Sequence, residues 1–485
     1  MTTADDTRGQ EFDVIIAGAR CAGAALATHV ARAGLSVAVL DSAPLGSGQP
    51  SSTHLIQPPG MDELDLIGVG DQVRELTPAL HAVRMRFDDE VTTFSYGAGR
   101  AAHCLRRASL DGRLQHAASE AGATLMAETR VVGLLRTNDG TVNGVEAQQR
   151  GGRALRLNAR LVVGADGRKS SVAKLVGADE YLGYDAPRGC YWAYWRRPPN
   201  CDPHVLHNCF SADDQRVVFP TDGELMLIAT APPVDRARAW RTDHTAAYLE
   251  DIRSYSPVAS LLDSDGPVSE VRGLVKSRYF FRTAAGPGWA LVGDAGHHKD
   301  FIIGLGISDA LRDARELATA ITGTDPTLID RFWRQRDVDR LPMYLWSRDL
   351  GAADHVNALE RLVARRAPAT PALQPRLGEI LDGQLSPFRL IPPSLAAKWT
   401  AAELAHGRGR PMLEMLKAGV REQRARHEVA RGRRRMRRLP TTLASTARPT
   451  ALATRRVVNP ANGQCVGLSE SDESRCVPSV PRADV

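Results

Sequence analysis

The chain has 485 residues, 43% of them hydrophobic, more than one hydrophobic core usually organises, so two domains with an appendage are expected. No stretch reaches the roughly 18 apolar residues of a membrane span, and the seven scattered cysteines, with no Cys-x-x-Cys pair, suggest neither a disulfide framework nor a zinc site. The formal charge of +6 is local: residues 421–438 hold nine Arg and two Glu, so the rest of the chain sums to about −1, which argues against a nucleic-acid footprint on the body.

Residues 1–11 are polar and acidic, unlike a secretory signal, and read as a disordered lead. Residues 14–17 are a short apolar run, 18–23 a Gly-rich turn, 24–33 a helix of small residues ended by Gly34, and 37–40 a second buried run. This is the βαβ opening of a dinucleotide-binding fold. A loop over 43–60 leads into a helix predicted around 61–75. Residues 82–98 alternate as a hairpin does, and Leu110, Leu114, Ala117, Ala118 and Ala121 have helical spacing up to Gly122. Residues 186–284 are rich in aromatics and Pro, with strands at 216–219 and 225–230 around Thr221-Asp222-Gly223. They read as a second, mostly antiparallel domain. The chain then returns to the first domain at 288–292 and forms a helix over 307–321. Residues 326–438 look helical and amphipathic despite several Pro, and 439–485 read as a disordered tail.

Three motifs carry chemistry. Gly18-Ala19-Arg20-Cys21-Ala22-Gly23 sits between an apolar strand and a helix, where backbone N–H groups at a helix start can face a pyrophosphate. Asp41 closes the second strand 23 residues after Gly18, near the roughly 20 expected of a carboxylate that accepts ribose hydroxyls. Arg20 stands where such a turn usually has its second Gly. The next motif is Asp166-Gly167 at the end of the run 161–165, and the third is Gly293-Asp294-Ala295-Gly296-His297 followed by Gly304-Leu305-Gly306-Ile307. The first two are also compatible with ordinary turns. In the third, Asp294 can accept ribityl hydroxyls, and the loop and helix start at 304–307 can stabilise negative charge such as that on the N1/C2 edge of a reduced flavin.

In this order the motifs resemble the FAD-dependent monooxygenase superfamily typified by p-hydroxybenzoate hydroxylase, over residues 12–335. The resemblance implies an α/β fold: a Rossmann-like FAD-binding domain from 12–81, 99–185 and 285–325, an inserted, mostly antiparallel β substrate domain from 82–98 and 186–284, and a helical C-terminal extension. It places Arg107, in an Arg-x-x-Leu motif, at the flavin's phosphate or ribityl region, and Val131 or Val132 at the adenine. Asp166 is expected near the pyrophosphate and the path of the nicotinamide donor. The family's usual Pro is replaced by His298-Lys299-Asp300-Phe301, a variant that approaches flavin halogenases and geranylgeranyl reductases. His54 and Gln57 are expected either near the flavin ring or in ordinary turn bonds, and His297 as either a structural partner or a proton shuttle. The run Tyr191–Trp195 alternates, with Trp192 and Tyr194 expected on opposite faces, one lining the substrate cavity or packing the core. It lacks the Ile-Pro of the halogenase W-x-W-x-I-P stretch. His204, His207 and Cys209 follow no ligand-spacing rule, so no metal is expected.

The expected activity is hydroxylation of a small, aromatic or polyketide-like substrate of secondary metabolism by a flavin C4a-hydroperoxide, with NAD(P)H as electron donor and O₂ as co-substrate. The alternative is a reductase or dehydrogenase without oxygen insertion, and a further rival is a non-enzymatic binding protein working through the Arg-rich stretch. A cytoplasmic location, with no membrane span and no nucleic-acid partner, completes the expectation.

Overall fold

The structure is a computed structural model that describes residues 11–48, 54–211, 213–262, 266–352, 358–405 and 409–437. Most of the expected lead, and the expected tail, lie outside these residues; Glu11 already pairs with Asn158.

The first sheet runs Ala285–Gly286, Trp289–Leu291, Ala154–Gly164, Glu11–Ala17, Val37–Leu40, Thr124–Met126. Neighbours from Trp289–Leu291 to Thr124–Met126 are parallel. Parallel strands are covered on both faces, which is why Val14 to Ile16 and Val37 to Leu40 are apolar without alternation and are nearly all buried. The helix Cys21–Arg32 packs against the helix Gly306–Thr322, and its Ala22, Ala24, Ala25 and Ala27 are all buried. The register pairs Ala17 with Leu40 and with Gly164, and Gly164 with Leu291. Four strands thus end at one level, and each of the three sequence motifs follows one of these ends. This is a Rossmann-like core.

The second sheet runs Arg272–Leu274, Cys190–Arg196, Leu225–Ala231, Asp214–Pro220, Val205–Ser211, Ala82–Phe87, Glu90–Ser95. Its pairs are antiparallel except Val205–Ser211 with Ala82–Phe87. One face carries Trp192, Val217, Phe219 and Leu227. The other carries Tyr191, Ala193, Trp195, Val218 and Ile228 and packs on the helix His244–Ser254, with Trp195 Nε1 donating to Tyr248 Oη at 2.9 Å.

Two expectations are corrected. Trp192 and Tyr194 share a face: Tyr194 packs with the cluster that holds Trp192, whereas Tyr191 and Trp195 belong to the opposite cluster. Residues two apart on a strand point the same way. The helix expected over 61–75 is two helices, Pro58–Ile67 and Gly70–Leu76. Gly68, at φ +92°, ends the first by adopting the left-handed conformation.

A small sheet of Glu180–Asp185, Arg278–Arg282 and His297–His298 holds the third motif by antiparallel pairing. The C-terminal region folds as Leu328–Gly351, Ala358–Arg366, Gln374–Leu381, Pro393–Ala405 and Gly409–Arg437. In the last helix Ala425, Val429 and Met436 are buried, while Arg424, Arg426, Arg431, Arg434, Arg435 and Arg437 are exposed. The Arg-rich stretch is therefore, as far as Arg437, the solvated side of a packed helix.

Gly288 starts the strand Trp289–Leu291: its carbonyl accepts from Val162 N at 3.0 Å. It has φ +74°, and a Cβ there would overlap the Val142 carbonyl oxygen. Gly288→Ala should cost about 2 kcal/mol or more, read as a lower thermal midpoint than that of the wild type.

Candidate functional site

The strand ends open into a cavity of 360 Å³. Its wall is built by loops from every motif: Gly18, Arg20, Cys21, Ala22 and Asp41; Asp166 and Gly167; Asp294, His297, Gly304, Gly306 and Ile307. Arg107, Val131, His54 and Trp192 also line it. Ala19, Gly23, Val132, Leu305 and Tyr194 are not part of that wall. Val132 is 46% exposed, whereas Val131, its neighbour on the strand Thr129–Arg136, is buried, as alternation requires.

Close packing explains the glycines of the first turn. Gly18 has φ +104°, and a Cβ would lie 2.5 Å from the Ala165 carbonyl oxygen; at Gly23 it would overlap the carbonyl oxygen of Gly18. Arg20 is the extended N-cap of the helix Cys21–Arg32, at φ −95°, a conformation that needs no glycine, which is how the turn accommodates it. Ala19 N donates to Asp41 Oδ2 at 2.7 Å and Ala43 N to Oδ1 at 2.9 Å. Each carboxylate oxygen has a further lone pair to offer. Gln115 braces the same turn from behind, donating to the Ala19 carbonyl at 2.8 Å and accepting from Gly46 N at 2.8 Å.

On the cavity wall, Cys21 Sγ and Arg107 Nη2 both donate to Asp111 Oδ1, at 3.3 and 2.8 Å. Burial pushes the Cys21 thiol well up, so it is a neutral donor. Arg107 Nε is buried and has no protein partner among the described residues. A buried guanidinium with an unused donor suits an anionic or oxygen-rich ligand.

Asp166 accepts from Ser171 N at 2.6 Å and Val172 N at 3.3 Å, with Ser170 Oγ also donating. Its carboxylate thus caps the helix Ser171–Val176 and shapes the wall. Asp294 lies in a 3₁₀ turn with its side chain 43% exposed. Around Gly306 a Cβ would meet open space. This residue begins the helix Gly306–Thr322, whose first amides have no intrahelical acceptor. Gln57 pins the loop before it, donating from Nε2 to the Ile303 carbonyl at 3.1 Å and accepting from Tyr96 Oη at 2.8 Å.

His54, at φ +66°, stacks on Tyr194 with ring centroids 5.8 Å apart. Burial, then the charges of Arg107, Arg272 and Arg106, holds its pKa at about 3, so the ring is neutral. His297 is buried and stacked on Phe281 at 4.5 Å; burial holds it well below the usual range. Its ring also lines the cavity.

An ionic cluster, of which Lys299, Asp309 and Asp313 line the cavity, has no signature among the three motifs. Lys299 pairs with Asp309, and Arg340 lies 3.6 Å from both Asp309 and Asp313. Arg336 lies 2.7 Å from Asp337 and 3.9 Å from Asp313. Although burial alone would raise Asp309, Lys299 and Arg340 hold it at about 2, whereas burial pushes Asp313 up to about 7. Asp300, also in the cavity wall, is pushed by burial up to about 7; its Oδ1 accepts from Ile302 N at 3.1 Å. The available signal was the i,i+4 repetition, Asp309 and Asp313 on one helix against Arg336 and Arg340 on the next.

Over residues 11–336 the chain matches the family described as FAD binding domain. Digeranylgeranylglycerophospholipid reductase 1 of Methanococcoides burtonii is 26% identical over 323 residues, 62% of this chain and 72% of that protein. Protoasukamycin 4-monooxygenase of Streptomyces nodosus subsp. asukaensis is 27% identical over 414 residues, 79% of this chain and 99% of that one. Among solved structures, the flavin-dependent brominase Bmp2 superposes with a TM-score of 0.66 at 15% identity, over 77% of this chain and 94% of that chain, a likeness of fold alone.

The raised Asp300 carboxyl sets a pH dependence. It stays protonated in the folded chain up to about pH 7 and ionises near pH 4 (roughly) when unfolded. Its contribution to stability is full below roughly pH 4 and is lost as pH rises through about 7. Asp300→Asn should therefore have a thermal midpoint, relative to wild type, several degrees more favourable at pH 8 than at pH 4.5. Parallel melting curves at the two pH values check this.

Proposed function

Since the chain belongs to the FAD binding domain family of FAD-dependent oxidoreductases, we propose that it is a monooxygenase that uses NAD(P)H and O₂ to hydroxylate a small, aromatic or polyketide-like molecule. The observation that carries this reading is the convergence of all three motif loops on one cavity whose far wall, Trp192 and Leu274, belongs to the second sheet.

The donor set suits FAD. The turn at 18–23 offers amides to the pyrophosphate, Asp41 its spare lone pairs to the ribose, and the strand at Val131 its backbone to the adenine. Arg107 Nε serves the phosphate or ribityl region, Asp294 the ribityl hydroxyls, and the helix start at Gly306 the ring edge that gains negative charge. When bound, the flavin supplies the electron transfer between NAD(P)H and O₂. The chain excludes water with Trp192, Phe301 and Leu55 and orients the substrate against them. Asp300 holds or releases a proton at its carboxyl close to neutrality.

The alignment with protoasukamycin 4-monooxygenase, which spans nearly all of that protein, favours oxygen insertion. The likeness to digeranylgeranylglycerophospholipid reductase 1 favours a second reading, reduction without oxygen transfer. A non-enzymatic binding role falls with family membership. Among the described residues no helix is long and apolar enough to cross a membrane, and a cytoplasmic location remains part of the proposal.

Turnover with NADPH under ¹⁸O₂ should place one labelled oxygen in the product; an unlabelled product with added hydrogen would establish the reductase instead. Asp294→Ala should weaken flavin binding about tenfold, the loss of one or two hydrogen bonds, measured by titrating apoprotein with FAD. Unchanged affinity would remove Asp294 from the site.

A further inference from the structure

Behind the flavin-facing cavity lie two more. The second, 40 Å³, shares Leu55, Cys190, Phe301 and Gly304 with the first. The third, 300 Å³, shares Met85, Trp346 and Leu381 with the second. It lies between the strand pair Ala82–Phe87 and Glu90–Ser95 and the C-terminal helices Ala358–Arg366 and Gln374–Leu381.

Most of the third cavity's lining is hydrocarbon, including Phe87, Phe94, Val363, Leu377, Ile380 and Ile391, with Thr92 and Glu360, whose Oε2 is buried, as polar exceptions. Charge gathers at one end, where Asp349 and Glu428 are 39% exposed and Arg424 is exposed. The chamber is open to solvent where these charged side chains lie, so a ligand can enter it. Apolar walls hold water poorly, and a sugar, phosphate or other polar extension would be stripped of water there with little in return. An aromatic head held against Trp192 leaves this chamber unfilled; a flexible apolar chain attached to the head fills it.

We propose that the substrate carries a linear hydrocarbon tail, which passes Met85, Trp346 and Leu381 and is buried in the chamber between the second sheet and the C-terminal helices. This deepens the oxidoreductase reading of the same site and rests on it. The C-terminal region is then half of the tail-binding chamber, and tail length sets specificity.

The test uses flavin-loaded full-length protein and a series of 4-alkylphenols, from ethyl to dodecyl, kept below their aggregation concentrations. Dissociation constants are read from perturbation of the flavin's visible spectrum. Affinity should rise about three- to fourfold per methylene until the chamber is full, then level off. Met85→Trp, at the junction, should leave 4-ethylphenol binding nearly unchanged and abolish the gain for longer tails. Val363→Phe, deeper in, should move the levelling point to a shorter tail, and it keeps the test informative if the larger substitution misfolds. Affinity independent of tail length, or the same gain in wild type and both variants, overturns the proposal while the short phenol's own signal leaves the flavin site standing. No perturbation by any member of the series overturns the proposal together with the placement of the substrate beside the flavin.

Discussion

The parallel register of the first sheet, which brings Ala17, Leu40, Gly164 and Leu291 to a common level, fixes the place of everything else in the site. Residues far apart in sequence, Gly18, Asp41, Asp166 and Asp294, follow within three residues of those strand ends. Moving one strand by a residue would carry its motif away from the others and turn its side chains to the opposite face. The register is itself specified by burial on both faces and by tight contacts at glycine, of which Gly18 against Ala165 is the clearest.

Burial of charge at the cavity wall is costly, because charged groups lose their water there. Lys299, Arg336 and Arg340 answer Asp309, Asp313 and Asp337, so no charge of the cluster is without an opposite. The cluster spans the third motif, the helix that follows it and the long helix Leu328–Gly351. It therefore ties the loop that faces the cavity to the C-terminal region. The same long helix supplies Trp346 to the second and third cavities, so one element borders both the ionic cluster and the apolar cavity.

Much of this was legible because local chemistry and tertiary role agree. The run at 14–17, the Gly-rich turn, Asp41 and Gly304 to Gly306 were placed correctly at strand ends and a helix start because apolar runs and glycines mark those positions locally. What escaped was of two kinds. Gln115, Gln57 and the Arg336–Arg340 pair act across long sequence separations, and nothing beside them in the chain announces a partner. Trp192 and Tyr194 could have been placed correctly from strand period alone, since positions two apart share a face. The split at Gly68 was likewise visible as a glycine inside a helical pattern. The chamber behind the second sheet belongs to neither kind. It arises from packing between Met85 and Phe94 on one side and residues 360–391 on the other, which no local pattern encodes.

The central claim is that separated backbone segments grip opposite parts of a single flavin. Amide hydrogen exchange of apoprotein, followed with and without added FAD, reads those segments directly. Slowed exchange is predicted at 18–24 and at 304–309 together, with the same dependence on FAD concentration. Protection confined to one of the two segments, or absent from both at saturating FAD, would contradict the account.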